Sequence, residues 1–160
     1  MKARKIREWL EALLWAAIIC AALYFVFWPV KIEGQSMREN YLPGDYVMVS
    51  RLMVMAGRFS RGDALLSAMP YGDARVIKRL IGLPGERVQI KDGQVLLNGQ
   101  VLREDYATGY TSGSVDILLG EDEYFLMGDN RAVSVDSRAA GAFNRALLQG
   151  KVIARIGFGI

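Results

Sequence analysis

Arg87-Val-Gln-Ile-Lys91 alternates polar and apolar residues, meets Asp92-Gly93, resumes as Val95-Leu-Leu97 and stops at Asn98-Gly99. Short apolar runs closed by an Asx-Gly pair mark tight antiparallel hairpins, because the two turn residues must adopt positive φ. The same pattern extends outward in both directions. Tyr46–Arg51 follows Pro43-Gly44-Asp45, Ala64–Met69 follows Arg61-Gly62-Asp63, and Arg75–Ile81 stops at Gly82-Leu-Pro-Gly85. Glu123–Met127 and Lys151–Ile156 are further strands, residues 137–148 leave room for a short helix or turn, and the polar stretch 104–122 reads as a surface loop. No stretch after Lys31 repeats apolar residues at helical spacing. The expected fold is mainly β, an antiparallel, barrel-like domain over residues 31–160.

The N-terminus reads differently. Residues 1–11 form a short basic segment with Lys2, Arg4, Lys5 and Arg7, and Ala12 to Val30 carry no charge. As a helix rising ~1.5 Å per residue, residues 12–30 reach ~28 Å, close to the ~30 Å hydrocarbon core of a bilayer. Trp9 and Trp28 lie near the two ends, where indole rings favour the lipid–water boundary, and Pro29 is placed to end the helix. A transmembrane helix over 12–30 is therefore expected. The bulky residues that follow argue against a cleaved leader. The basic flank puts the N-terminus in the cytoplasm and the β domain on the outer face of the plasma membrane as a single-pass protein.

Composition removes whole classes of chemistry. The chain of 160 residues has no His and one Cys, so a His-based triad and a His-ligated metal are excluded. Cys20 lies in the apolar run, where a thiolate is costly. Neither a metal nor a cofactor is expected. A net charge of +3 gives no argument for nucleic acid. Any hydrolase here needs a Lys or a carboxylate as its base.

Three stretches offer such groups. Gly34-Gln-Ser-Met-Arg38 is either an ordinary polar turn or a sharp turn presenting the Ser36 hydroxyl. In Arg75-Val-Ile-Lys-Arg-Leu-Ile81, residues of one parity share a face, so Lys78 or Arg79 is carried among apolar neighbours. Lys78 is then either a snorkelling edge residue or a desolvated general base. Gly128-Asp-Asn-Arg-Ala-Val-Ser-Val-Asp-Ser-Arg138 concentrates charges and hydroxyls right after a strand, as a solvated loop or as a network organising a site.

In this order, these segments resemble the type I signal peptidase (leader peptidase) family of membrane-anchored serine proteases. Gln35-Ser36-Met37 is similar to its nucleophile box and Arg61-Gly62-Asp63 to the next. Arg75-Val-Ile-Lys78-Arg79 with Gly82-Leu-Pro84-Gly85-Glu86 is similar to the lysine box. Gly128-Asp-Asn-Arg131, Ser134 and Asp136-Ser-Arg138 are similar to the last. The resemblance implies Ser36 as nucleophile, Lys78 as general base and Ser134 as the residue orienting the amine. It implies the Ser36 backbone N–H as one oxyanion donor. Asp129, Asn130, Arg131, Asp136 and Arg138 would support the site, the last two as an ion pair. The implied function is removal of signal peptides from secretory preproteins through an acyl-enzyme, with small residues at the −3 and −1 substrate positions. The implied partners are those signal peptides, the lipid bilayer and the protein-export channel. Two departures stand out. Glu39-Asn40 occupies positions where many relatives carry Pro-Thr, and Gly34 stands where some carry a Ser that donates to the oxyanion, which leaves a second donor unassigned.

Other readings stay open on the residues alone. One is another Ser-Lys peptidase, such as a self-cleaving repressor protease, which leaves the apolar N-terminus unexplained. Another is a maturation peptidase dedicated to one secreted protein. A third is a membrane-tethered β module that binds without catalysis. The dyad imposes a physical condition of its own. A free lysine has a pKa of about 10.4, so half-neutrality at pH 7 needs a drop of ~3.4 units. Burial alone can supply ~3–5 units. Lys78 is therefore expected to be deep, walled by Val76 and Leu80, and far from carboxylates, with Arg79 outside. Leu52–Ala56 is expected in the core, or else dipping into the lipid surface.

Overall fold

The computed structural model describes residues 2–157. Met1 and residues 158–160, the outer ends of two expected segments, lie outside them. Helix α1 (Lys2–Val26) leads into β1 (Phe27–Lys31), β2 (Tyr46–Ser50) and the short α2 (Arg51–Met55). Then follow β3 (Ala64–Ala68), β4 (Arg75–Gly82), β5 (Arg87–Lys91), β6 (Gln94–Leu97), β7 (Gln100–Val101), β8 (Val115–Leu118) and β9 (Glu123–Met127). The chain closes with α3 (Ser137–Ala140), β10 (Phe143–Asn144), a 3₁₀ turn (Arg145–Leu147) and β11 (Leu148–Ile156).

The hairpin grammar is realised at both Asx-Gly pairs. Asp92 and Asn98 each have φ 51°, followed by Gly93 at 79° and Gly99 at 81°. The two turns join β5 to β6 and β6 to β7, in a four-stranded sheet of order β7-β6-β5-β8. A seven-stranded sheet of order β1-β2-β11-β3-β4-β9-β10 curls into a half-barrel. Every strand pair in both sheets is antiparallel.

The larger sheet is covered on both faces. Ala64, Leu66 and Ile77 pack with Met37, Val47 and Val49 on one side. Leu65 and Leu80 pack with Leu126, Phe143 and Leu148 on the other. A third cluster, around Ile81, Val88, Ile90 and Phe125, joins the two sheets. Of the expected polar loop 104–122, residues 115–118 form β8, pairing with β5, and Thr111 is buried. Leu52–Ala56 is only partly in the core: Val54 is buried, while Leu52 and Met55 are exposed.

The expected helix over 12–30 is corrected in extent. Helical structure begins in the charged flank and stops at Val26. Phe27–Lys31 is instead extended and pairs with β2, from Phe27↔Ser50 to Lys31↔Tyr46. Tertiary pairing wins here because it packs Trp28 and Val30 against the core. Pro29, read as a helix end, sits instead in an edge strand, the place in a sheet that tolerates a missing N–H. The uncharged helical part, residues 12–26, reaches only about 22 Å. Among the described residues, no helix is long and apolar enough to cross a membrane.

Candidate active site

Lys78 lies on β4 opposite Leu65 of β3. It shares a strand face with Val76 and Leu80, which belong to the Leu65–Leu126 cluster. Its residue exposure is 2%. Burial pushes the amine down to about 8; Arg138 pushes the same way, while Asp136 and Asp129 pull it back up. The expectation of a lysine far from carboxylates is thus corrected: two of them oppose the desolvation, and burial outweighs them. Lys78 Nζ donates to Ser134 Oγ at 3.0 Å. Among the described residues, no hydrogen bond joins Nζ to Ser36 Oγ.

Ser36 sits in a turn between β1 and β2 and is half-buried. The next residue, Met37, is buried and plugs the turn into the core beside Val47 and Val49. Backbone bonds from Arg38 N to Gln35 O (3.1 Å) and from Tyr41 N to Met37 O (2.9 Å) close the turn. Asn130 N donates to Ser36 O at 2.9 Å, tying the turn to the loop after β9. The Ser36 N–H makes no hydrogen bond among the described residues.

Gly128 is where the pieces converge. A Cβ built on it would stand 2.2 Å from Ser134 Oγ and 2.5 Å from Ser36 O. Only a residue without a side chain lets both serine segments approach the end of β9 this closely.

The 129–138 loop is held by buried charge. Asp136 accepts from Gly128 N at 3.0 Å and from Arg138 Nε at 2.9 Å. Burial pushes the Asp136 carboxyl up, but the Arg138 guanidinium, the Gly128 amide and the Ser134 hydroxyl outweigh it and hold the pKa below the usual value. Arg138 also donates to the carbonyls of Arg131 (2.9 Å) and Ser134 (3.2 Å). Arg131 is 1% exposed and forms a two-point pair with Glu104, at 2.5 and 2.9 Å, plus a bond to Thr111 Oγ1 at 2.7 Å. Asn130 contributes its backbone N–H.

The expectation that Arg79 lies outside, drawn from the burial that the dyad demands of Lys78, is corrected. Arg79 makes a two-point pair with the fully buried Asp129, at 2.7 and 2.5 Å, and lies over the Tyr106 ring at 4.4 Å. Two covered sheet faces leave no outer side for it. Asn40 Nδ2 donates to Asp129 Oδ2 and Tyr106 O, both at 2.9 Å, which docks the turn after Ser36 onto the loop after β9. Glu39 is exposed, with φ 82°. The Arg79–Asp129 and Arg131–Glu104 pairs leave no mark in the local sequence because their partners lie 50 and 27 residues apart. The only local signal was an uncompensated charge beside apolar residues.

A cleft of about 160 Å³ opens beside Ser36, lined by Lys31, Ile32, Glu33, Gly34, Met37, Arg75, Val76 and Ile77. β4 pairs with β9 only from Arg79 onward, so along Arg75–Lys78 its edge towards the cleft has no strand partner among the described residues. Among the described residues, no cluster of ligating side chains fits a metal ion.

The family model described as "Signal peptidase, peptidase S26" matches residues 6–157. The chain is similar to signal peptidase I P of Bacillus subtilis subsp. natto, with 32% identity over 93% of this chain and 87% of that protein. It is also similar to signal peptidase I of Bacillus licheniformis, with 34% identity over 86% of this chain and 80% of that protein. Among solved structures, a signal peptidase I from Enterococcus faecalis V583 is similar at 32% identity with a TM-score of 0.54, over 59% of this chain and 97% of that one. The chain therefore belongs to the signal peptidase family, peptidase S26, and is a serine peptidase that hydrolyses peptide bonds.

Proposed function

We propose that this protein removes signal peptides from secretory preproteins, with Ser36 as nucleophile and Lys78 as general base. The observation that carries the reading is the Lys78 amine. It is buried, its pKa is lowered to about 8, and Ser134 Oγ holds it at 3.0 Å next to the turn that presents Ser36. At pH 7 a pKa near 8 leaves roughly one lysine in ten neutral, against one in thousands for a free amine. Ser36 Oγ attacks the scissile carbonyl while Nζ takes its proton. The resulting ammonium returns that proton to the leaving amine, and water, deprotonated by the same amine, releases the acyl group. Hydrogen bonds of this kind are often incomplete without substrate and close in the complex. The unengaged Ser36 N–H is suited to the developing oxyanion.

The substrate adds as an extended strand along the free Arg75–Lys78 edge of β4. A small cleft beside Ser36 favours small side chains at −1 and −3. Asp129, Asn130, Arg131, Asp136 and Arg138 act by holding the loop that carries Ser134.

Helix α1 serves as the membrane anchor, with its basic end on the cytoplasmic side. Every described side chain from residue 4 to 24 is exposed, including Leu10, Leu13, Leu14, Trp15, Ile18, Ile19 and Leu23. An apolar surface of that extent has a natural place in lipid. Its short uncharged length is accommodated by local thinning of the bilayer or by the flanking tryptophans.

Purified protein in lipid is incubated with a precursor bearing Ala-x-Ala before the cut, and mass spectrometry locates the products. Cleavage after the second Ala that disappears in Ser36→Ala and in Lys78→Arg supports the reading. Cleavage that persists in Ser36→Ala sinks it. Resistance of the chain to carbonate extraction, lost when residues 2–26 are removed, tests the anchor.

A further inference from the structure

We infer that Arg75 selects substrates by charge, favouring acidic residues in the segment just upstream of the −3 position. The inference rests on the proposed cleavage reaction at Ser36 and goes beyond it by assigning a specificity determinant.

Arg75 opens β4 and is exposed. Its guanidinium lies 4.9 Å from the Trp28 ring, a contact that holds the side chain in place without neutralising it. Among the described residues it has neither a carboxylate partner nor a side-chain hydrogen bond. This sets it apart from Arg79, Arg131 and Arg138 nearby, whose charges are each matched by a carboxylate. Arg75 lines the same cleft as Ser36, together with Lys31 and one acid, Glu33. These three side chains leave the cleft rim with one net positive charge.

The strand register sets where this charge acts. Lys78 marks the height of the scissile bond, and Arg75 is three residues away on a free edge, about 10 Å along the strand. An extended peptide paired to that edge carries its residues past Arg75 at the same spacing. An arginine side chain reaches several ångströms further, which brings −4 and −5 within range. The direction follows from Trp28. It belongs to β1, which continues directly from α1, so the Arg75 end of β4 is the end nearest the proposed anchor. A signal peptide lies upstream of its cut and comes from the same bilayer, so its upstream residues pass on the Arg75 side. A planar guanidinium, already oriented by the indole, suits a carboxylate better than a mobile ammonium does.

The test uses three precursor peptides that share one Ala-x-Ala cut site and carry Asp-Asp, Ala-Ala or Lys-Lys at −5 and −4. The value of kcat/KM is measured for the full-length protein in neutral-lipid vesicles and for Arg75→Gln and Arg75→Glu. The expected result is a 5- to 20-fold preference for Asp-Asp over Lys-Lys at low salt, abolished in Arg75→Gln and reversed in Arg75→Glu. The Ala-Ala peptide is the internal reference: within each protein the Asp-Asp and Lys-Lys values are read as ratios to it, so a general change in substrate binding cancels. An unchanged charge preference in both variants overturns the inference while leaving the cleavage reaction standing. Failure to cut even Ala-Ala with the unaltered protein removes the cleavage reading itself. Loss of Ala-Ala cleavage in both variants also overturns the inference, because Arg75 would then support the site as a whole.

Discussion

Arg79 and Asp129 meet at two points, 2.7 and 2.5 Å apart, one residue along β4 from Lys78. Two consecutive cations on one strand thus have opposite electrostatic surroundings. Arg79 points to the face where a buried carboxylate, a carbonyl and an aromatic ring receive it. Lys78 points to the apolar face, where its closest polar partner is a neutral hydroxyl. Strand alternation alone separates the two. The charge-matched arginine beside it anchors β4 to the 129–138 loop without neutralising the lysine.

Truncating the anchoring carboxylate should be severe. Asp129→Ala leaves Arg79 buried without its counter-ion and removes an acceptor from Asn40. Loss of one partner of a buried pair costs about 3–5 kcal/mol. Urea denaturation should show a loss of that size, and Arg79→Met combined with Asp129→Ala should recover part of it.

The Lys78 amine should set the pH dependence of turnover. With a pKa of about 8, kcat/KM should climb roughly tenfold per pH unit below that value and level off above it. Lys78→Arg keeps its proton throughout, so its activity should fall by about 10³-fold or more. A profile flat from pH 6 to 9 would contradict the assignment.

The same lysine should lower stability at neutral pH. Its folded pKa of about 8 lies below the ordinary value of 10.5, so the unfolded chain holds more proton between those limits. The destabilisation is therefore complete below pH 8 and is relieved as pH rises through 10.5. It amounts to about 3 kcal/mol. Lys78→Met should be more stable than the parent at pH 7 by about 1–3 kcal/mol, with a smaller advantage at pH 10, and inactive at both. Thermal or urea unfolding at the two pH values checks this.

Ser134 should act as a positioning residue. Ser134→Ala removes the acceptor 3.0 Å from Nζ while leaving the buried loop charges in place. The expected result is a fall in kcat of roughly 10- to 100-fold with little change in KM and a displaced pH midpoint. A purely structural role would leave that midpoint where it was.

Gly128→Ala should disable the site. The new methyl group would stand 2.2 Å from Ser134 Oγ and 2.5 Å from Ser36 O, the second a backbone atom that cannot turn aside. Turnover should drop by at least the Ser134→Ala factor, while far-UV circular dichroism retains the β signature.

Much of the β framework was legible residue by residue. Asp92-Gly93 and Asn98-Gly99 announced their turns because positive φ is a local demand that few residues meet. β3, β4, β5 and β9 could be found from apolar runs between turn residues. β1 could not. Phe27-Trp-Pro-Val-Lys31 continues an apolar run and becomes a strand only because the edge of β2 is there to receive it. β8 was hidden within a polar stretch, since its pairing with β5 lies some 27 residues away and needs few apolar side chains.

By itself, the amino-acid chain determined what chemistry is possible: no imidazole and no second thiol, one lysine set among Val, Ile and Leu, and four motifs in a recognisable order. Tertiary structure alone decided which face of β4 is dry and which is charged. It also decided that Asp129 belongs to Arg79, that Glu104 belongs to Arg131, and that Gly128 is the point where Ser36 and Ser134 converge. The reason is physical: turn preferences and strand periodicity act over a few residues, whereas desolvation and ion pairing depend on which distant segments close over a group.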